Sequence, residues 1–356
     1  MTFRFKALIT TASLLALVSG EAWAQNNWLK GVSVDGVIKI AGSYLRDYDE
    51  VDSSDIIVHT AILGINAQPA PWVKGRMSFK YEENKTDLTV DDGYITLGDH
   101  AQNLPFYARF GSMVVPFGKF TTNMNSDSLT LVLGESAEKA AQFGFNLQGA
   151  YGSIFAYNGA TQDDGNNTID HYGANLGFTK TINNLNIDIG ASYLLDIGDT
   201  GTLSNALVDS GVNFGADYDY VAGIGAHLVV TAGPVTFIGE YIAALDEFKP
   251  EQLSVRSSSG ADTPEVFNAE LGVTFNAVDK PITLAIGYQQ TSDAEDLTEA
   301  RFGFVPETRM LGTIGMGIFD NTRPSLEYAL SEDYDEENGG TGEDAQNISM
   351  VLAVTF

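Results

Sequence analysis

The sequence predicts an all-β protein: a transmembrane antiparallel β-barrel of about 16 strands with a long third extracellular loop. Three observations carry that expectation. The last eleven residues alternate, with Ile348, Met350, Leu352, Val354 and Phe356 on one face and Asn347, Ser349, Val351, Ala353 and Thr355 on the other. A period of two is that of a strand, and about ten residues cross a bilayer when tilted. Similar stretches recur along the chain. The composition also fits: 37 Gly, 20 Phe, 15 Tyr, 10 Pro and no Cys, with a mean hydropathy of −0.04, so that apolar and polar residues alternate rather than segregate.

Residues 1–24 read as an export signal. Arg4 and Lys6 give a basic start, Ala7–Gly20 a mostly apolar run, and Ala22-Trp23-Ala24 a cleavage site, so the barrel is expected over residues 25–356. The apolar run is shorter than the ~20 residues of a spanning helix. The strands then follow in order: Val32–Leu45, Asp55–Asn66, Trp72–Tyr81, Asp91–Gly98, Pro105–Met113, Ala141–Gln148, Tyr151–Asn158, His171–Lys180, Leu185–Leu195, Asp217–Thr231, Val235–Leu245, Pro264–Asn276, Pro281–Thr291, Thr308–Phe319, Thr322–Leu330 and the closing strand. The third shows the pattern well, with Val73, Gly75, Met77, Phe79 and Tyr81 outward against Lys74, Arg76, Ser78 and Lys80. No amphipathic helix longer than two turns stands out. Connections after even-numbered strands are short, as at Gln68–Pro71, Gln148–Ala150 and Ala232–Pro234, whereas those after odd-numbered strands are longer and polar. Short turns belong at the periplasmic rim and long loops outside. Terminal Phe356 suits an aromatic girdle and recognition by the barrel-assembly machinery. The outward aromatics suit lipid and a neighbouring subunit equally, which leaves an oligomer open.

The net charge of −28 argues against nucleic acid as a partner. Much of the acid falls in outer loops: Asp47, Asp49, Glu50 and Asp52, then Glu332, Asp333, Asp335, Glu336, Glu337, Glu343 and Asp344. Such loops stay solvated and suit divalent cations that bridge lipopolysaccharide; a funnel for cationic solutes is the sharper alternative. No resident cofactor is expected. Asp163-Asp164-Gly165 lacks the full ligand series of a calcium loop and reads as a turn. Inward positions differ between the two halves of the chain. Lys74, Arg76, Lys80 and Arg109 come from early strands, and Asp188, Glu240, Glu270 and Glu327 from later ones. Either opposite walls carry opposite charge and set up a transverse field, or these groups pair with one another or with the long loop, as structural ion pairs.

The segment Val114–Ala140 is too long for a simple connection. Its polar part, with Thr122, Asn123, Ser126 and Asp127, is expected to fold into the lumen and narrow it, or else to pack as a lid over the mouth. Gly118 and Gly134 would permit the reversals, and a helical turn is expected between Glu135 and Lys139. The run Val115-Pro116-Phe117-Gly118-Lys119-Phe120-Thr121-Thr122-Asn123-Met124, with Ser126-Asp127-Ser128-Leu129-Thr130-Leu131 and Leu133-Gly134-Glu135, resembles the LbtU-type siderophore porins. Ser128 departs from that pattern, where proline is common. The resemblance is specific over Arg109–Glu135 and general elsewhere. It implies an outer-membrane barrel and a ferric siderophore as solute, with no ligand-contacting residues to carry over. TonB-dependent receptors use about 22 strands and a plug, for which this chain has no room. Passive passage is therefore expected, with diffusion of small hydrophilic or anionic solutes as the alternative. His59, His100, His171 and His227 are scattered and no G-x-S-x-G motif is present, so no enzyme is expected.

Overall fold

The computed structural model describes residues 31–98, 104–161, 168–209, 218–249, 263–294, 305–338 and 340–356. The expected signal segment, His100 and the Asp163–Gly165 turn lie outside the described residues. Among the described residues the strands are β1 (Val32–Arg46), β2 (Asp52–Ala70), β3 (Val73–Glu82), β4 (Thr86–Leu97), β5 (Phe106–Val114), β6 (Ala137–Leu147), β7 (Ala150–Tyr157) and β8 (His171–Ile182). They continue with β9 (Leu185–Leu194), β10 (Gly223–Ala232), β11 (Val235–Ala244), β12 (Glu265–Ala277), β13 (Lys280–Ser292), β14 (Thr308–Met316), β15 (Thr322–Glu332) and β16 (Asp344–Thr355). Each pairs antiparallel with its neighbours in chain order, and β16 also pairs with β1, so the sixteen strands form a closed barrel. Closure leaves no backbone donor row facing outward, which is the condition for sitting in hydrocarbon.

The seam pairs β1 with β16 from Arg46 opposite Gln346 to Val37 opposite Thr355, and Phe356 completes it. Gly36 N–H donates to the Phe356 carbonyl at 3.0 Å, and Phe356 N–H donates to the Gly36 carbonyl at 3.1 Å. Strand tilt appears in a row of directly opposed residues, from Tyr151 through Gly177, Gly190, His227, Glu240, Asn268 and Gln289 to Arg309. The row starts near the short-turn end of β7 and finishes at the long-loop end of β14. A closed sheet requires this stagger. Outward positions carry the large apolar side chains: Ile154, Leu176, Ile286 and Met350 are all exposed. Such a surface is stable against lipid and not against water.

Several boundaries differ from the expectation. β2 runs on through Gln68-Pro69-Ala70, which the sequence assigned to a turn. β6 begins at Ala137, because Ala137–Ala140 pair with Gly111–Val114 of β5. β10 begins at Gly223 and β14 ends at Met316. The rule of long loops after odd strands fails at β3–β4, where residues 83–85 make a tight turn, so no loop rises over that part of the rim. Gln148 and Gly149 both have positive φ, at 53° and 94°. That is the backbone of a type I′ hairpin, whose twist matches its strands.

Among the described residues two α-helices lie in the loops: α1 (Leu129–Gly134) and α2 (Gly201–Asp209). The second exceeds two turns and had no counterpart in the sequence reading. Leu129, Leu131 and Leu133 of α1 are buried in one apolar cluster with Leu203 and Leu207 of α2, Phe117, Leu194, Ile197, Val221, Ile242 and Val266. The long-loop half of the barrel thus has a core of its own, and this core holds the third loop.

The third loop and the lumenal walls

The β5–β6 connection, residues 115–136 (L3), enters the barrel. Pro116 is half-buried at its start, and Phe117 is fully buried in the apolar cluster. Gly118 turns the chain with φ 80°, and its N–H donates to Ser192 Oγ of β9 at 3.1 Å. Phe120 then adopts φ 56°, a left-handed conformation that costs a non-glycine residue roughly 1 kcal/mol or more. Gly134 does not serve as a reversal. It is the last residue of α1, and a Cβ there would overlap Ile242 and crowd Phe120. The expected helical turn ending at Lys139 is absent, since Lys139 lies in β6 and the helix precedes Glu135.

L3 follows the inner wall from β9 to β15, and three glutamates hold it. Both oxygens of Glu240 (β11) accept from the Phe120 N–H, at 3.1 and 3.2 Å; Oε1 also accepts Lys119 N–H, and Oε2 the Thr130 hydroxyl at 2.8 Å. Glu270 (β12) accepts Thr122 Oγ1 at 2.6 Å and Asn123 N–H at 2.7 Å on separate oxygens. Glu327 (β15) accepts Asn125 N–H on Oε2, and Ser126 N–H and Oγ on Oε1. Between them, Gln289 (β13) accepts Leu129 N–H at 3.3 Å, and Arg309 (β14) donates to Gln289 and to the Asp127 carbonyl. Hydrogen bonds to a charged acceptor are the stronger kind.

This disposes of one expectation. Glu240, Glu270 and Glu327 do face inward, but they are buried under L3 and are not a bare acidic wall. Asp188 is likewise engaged: Lys119 Nζ lies at 2.9 Å and Tyr151 donates to it at 2.7 Å. The acid that faces the basic wall is on L3 itself. Asp127 interacts electrostatically with Lys85, Lys39 and Lys80, and Glu135 with Lys80 and Lys85. Burial pushes the Asp127 carboxyl up to about 7, with Lys85 the foremost opposing influence. Burial likewise pulls the Lys85 ammonium below its ordinary value.

The basic residues of β3 and β5 have neighbours on the wall. Arg76 is held between Asp35 (3.0 Å) and Asp92 (3.4 Å). Lys80 pairs with Glu82 at 3.3 Å. The Arg109 guanidinium sits 4.6 Å from the Tyr94 ring centroid and donates to Thr96 Oγ1 at 3.2 Å. Lys74 is exposed. The wall thus carries local ion pairs, and L3 brings Asp127 and Glu135 within electrostatic reach of its lysines. Sequence reasoning missed Lys39, Lys85, Lys119 and Arg309. Lys39 was legible, as an inward charge in the otherwise apolar alternation of β1. The other three have roles set by where L3 travels, and no spacing reveals that.

The long-loop rim is tied by a second cluster. Asp199 Oδ1 accepts Ala160 N–H at 2.7 Å and Thr161 N–H at 3.2 Å, while Thr161 Oγ1 donates to Asp196 at 2.6 Å. Burial pushes Asp199 up to about 6. In the acidic outer loops, Asp333 is buried and accepts Thr341 N–H at 2.8 Å. Among the described residues no three His, Asp or Glu side chains converge to hold a metal ion.

L3 also gives a stability test. Ser128 caps α1, its Oγ accepting Leu131 N–H at 3.2 Å. Ser128→Ala should cost about 1 kcal/mol, seen as a lower thermal midpoint in detergent. An unchanged midpoint would mean that the cap contributes nothing beyond the packing of Leu129 and Leu133.

No family model matches the chain. It is 25% identical over 358 residues to the UPF0422 protein lpl2888 of Legionella pneumophila (strain Lens), an alignment covering 93% of this chain and 64% of that protein. It is 26% identical over 320 residues to a UPF0422 protein of Coxiella burnetii, covering 87% of this chain and 66% of the relative. The chain thus spans about two thirds of the length of these relatives. Among solved structures, the outer membrane channel DcaP of Acinetobacter baumannii superposes with a TM-score of 0.60 at 13% identity, over 91% of this chain and 97% of that one. The anion-selective porin from Comamonas acidovorans gives 0.60 at 11% identity, over 91% and 99%. Pseudomonas putida OprB gives 0.58 at 12%, over 92% and 95%. At these identities the likeness is one of fold: the sixteen-stranded barrel of outer-membrane porins.

Proposed function

We propose that this chain is an integral outer-membrane channel of a Gram-negative bacterium. It passes solute passively through a lumen that L3 narrows, and it performs no catalysis. The observation that carries this reading is the seating of L3. Three buried glutamates hold its polar run against β11–β15, and the opposite wall carries Lys39, Lys80, Arg76 and Arg109. This wall, with Arg76 and Lys80 paired to Asp35, Asp92 and Glu82, faces an acidic loop edge, and such a constriction selects on charge and size. The solute we propose is a ferric siderophore, supported by the resemblance of the Val115–Glu135 run to the LbtU-type siderophore porins. General or anion-preferring diffusion of small hydrophilic solutes is the second reading, favoured by the basic wall alone. The proposed partners are outer-membrane lipid, lipopolysaccharide bridged by divalent cations at the acidic loops, and the barrel-assembly machinery acting on the strand ending in Phe356. Assembly into an oligomer is left open.

Uptake by cells lacking the gene, under iron limitation, separates the two solutes. Loss of iron-loaded siderophore uptake with normal entry of a neutral sugar, restored by the wild-type chain, is the expected result. Unchanged siderophore uptake with slower sugar entry would sink the siderophore reading and leave a general channel.

A further inference from the structure

We infer that the β5–β10 wall of the lumen carries a lane for planar aromatic anions, a narrower solute class than charge selection alone would give. The inference rests on the reading of the lumen as a solute passage. Its basis is a repeated pairing of a ring with a glycine. Tyr107 is directly opposite Gly144, Tyr151 opposite Gly177 and His227 opposite Gly190. In each pair the ring lies so close over the glycine that an added Cβ would overlap it. The rings therefore lie flat along the wall and not across the passage. Tyr107, Tyr151 and His227 are all half-buried, so one face is spent on the backbone and part of the ring still meets the lumen.

The rings are fixed in plane. The Tyr107 hydroxyl accepts from Gln142 Nε2 at 3.1 Å, and Gln142 also donates to Ser153. The Tyr151 hydroxyl donates to Asp188 at 2.7 Å, and His227 Nε2 lies 3.1 Å from it. Cations lie over the rings: Arg109 Cζ is 5.8 Å from the Tyr107 centroid, and Lys119 Nζ of L3, which also pairs with Asp188 at 2.9 Å, is 5.8 Å from that of Tyr151. Tyr107 and Tyr151 are two strands apart and two residues out of register, since Gly144 faces both Tyr107 and Ser153, a separation of about 12 Å by strand geometry. L3 directs its hydrogen bonds to Ser192, Glu240, Glu270, Gln289 and Glu327, along the wall from β9 onward. A flat, anchored ring stacks a planar ring in offset fashion, and the guanidinium of Arg109, over part of the Tyr107 ring, donates to a carboxylate. The two together recognise an aryl carboxylate or an aryl oxyanion. A saturated ring of equal charge lacks the first contact, and a neutral aromatic lacks the second.

The test uses the purified full-length barrel. Benzoate, cyclohexanecarboxylate and benzyl alcohol are titrated against single-channel current in a planar bilayer, and by equilibrium dialysis against the protein in detergent. Benzoate is expected to block and bind roughly three- to tenfold more tightly than cyclohexanecarboxylate, the worth of one aromatic pair. Tyr107→Leu with Tyr151→Leu should abolish that preference, and Tyr107→Phe with Tyr151→Phe should keep it. Arg109→Gln should reduce the preference of benzoate over benzyl alcohol. Equal binding of the two acids, or a preference that survives the leucine variants, overturns the lane. Should the leucine variants fail to fold, the wild-type, phenylalanine and Arg109→Gln comparisons still decide it. A barrel that carries no current overturns the channel reading instead, and dialysis then judges the lane by the same criterion.

Discussion

Replacing Glu270 and Glu327 together by glutamine should raise the single-channel conductance roughly twofold or more, because the tip of L3 no longer follows the wall of a lumen otherwise wide enough for an aqueous channel. The argument lies in how the carboxylates are used. Glu270 Oε1 accepts from the Thr122 hydroxyl and from Asn268 Nδ2, and Oε2 accepts from the Asn123 N–H and side-chain amide. Glu327 Oε2 accepts from Asn125 N–H, and Oε1 from Ser126 N–H and Oγ. Every oxygen meets a donor. Glutamine has the same shape but one acceptor atom, so in either orientation its NH₂ is aimed at a donor. Each lost charge-assisted bond costs ~1.5–3 kcal/mol in a buried setting, and both side chains are almost wholly buried. The α1 end stays in place, since Leu129, Leu131 and Leu133 are held by the apolar cluster and not by the glutamates. The freed part is therefore the polar run from Thr122 to Ser126. Bilayer recordings of the double variant should show larger and noisier openings. Currents identical in size and flicker to wild type would mean that L3 is held by its packing alone.

The fold was legible because a barrel writes its period into every strand. Val73, Met77 and Phe79 against Lys74, Arg76 and Lys80 fix which face of β3 is which, and the same rule placed Glu240, Glu270 and Glu327 inside. Turn chemistry located the short-turn rim, as at Gln148–Gly149. The role of those glutamates was legible only as one of two alternatives, a pairing with the long loop. Alternation gives the direction of a side chain and nothing about what meets it. Besides the hydroxyls of Thr122, Ser126 and Thr130 and the amide of Asn123, their partners are backbone N–H groups of Lys119, Phe120, Asn123, Asn125 and Ser126, which every sequence possesses. The short β3–β4 turn was missed for a related reason. Asn84 takes φ 62°, and a single left-handed residue between Glu82 and Thr86 suffices to reverse the chain where composition suggested a polar loop. The α2 helix packs through Leu203 and Leu207 against α1 and the neighbouring cluster. A nine-residue helix is marginal alone and forms because that cluster is there to receive it.

Asp127 should make the channel's ion selectivity depend on pH near neutrality. Its carboxyl is buried, and Oδ2 has no hydrogen-bond partner. Burial therefore pushes it up to about 7, against the pull of Lys85, Lys39 and Lys80 on the facing wall. The sign follows directly. At pH 8 Asp127 is ionised and the L3 edge carries a negative charge towards those lysines. At pH 5.5 it is neutral and the passage is more positive, so chloride permeability rises relative to potassium. The reversal potential in a KCl gradient should move towards the chloride limit on acidification, with a step centred near 7. Asp127→Asn should hold the acid-side value at both pH values. The same shift acts on stability. A carboxyl raised by burial favours the folded state most when both states are protonated, below its ordinary value, and that contribution is lost as the pH climbs through about 7. At pH 8 the wild-type chain then keeps a buried charge with no hydrogen bond at Oδ2, which Asp127→Asn removes. The variant should melt at a higher temperature than wild type at pH 8, keep part of that advantage at pH 5.5 and lose it only below the ordinary carboxyl value. A selectivity step near 7 that persists in Asp127→Asn would assign it to another group. A variant that melts lower at pH 8 would mean that the charge on Asp127, through Lys85 and Lys39, holds L3 to the basic wall more strongly than burial opposes it.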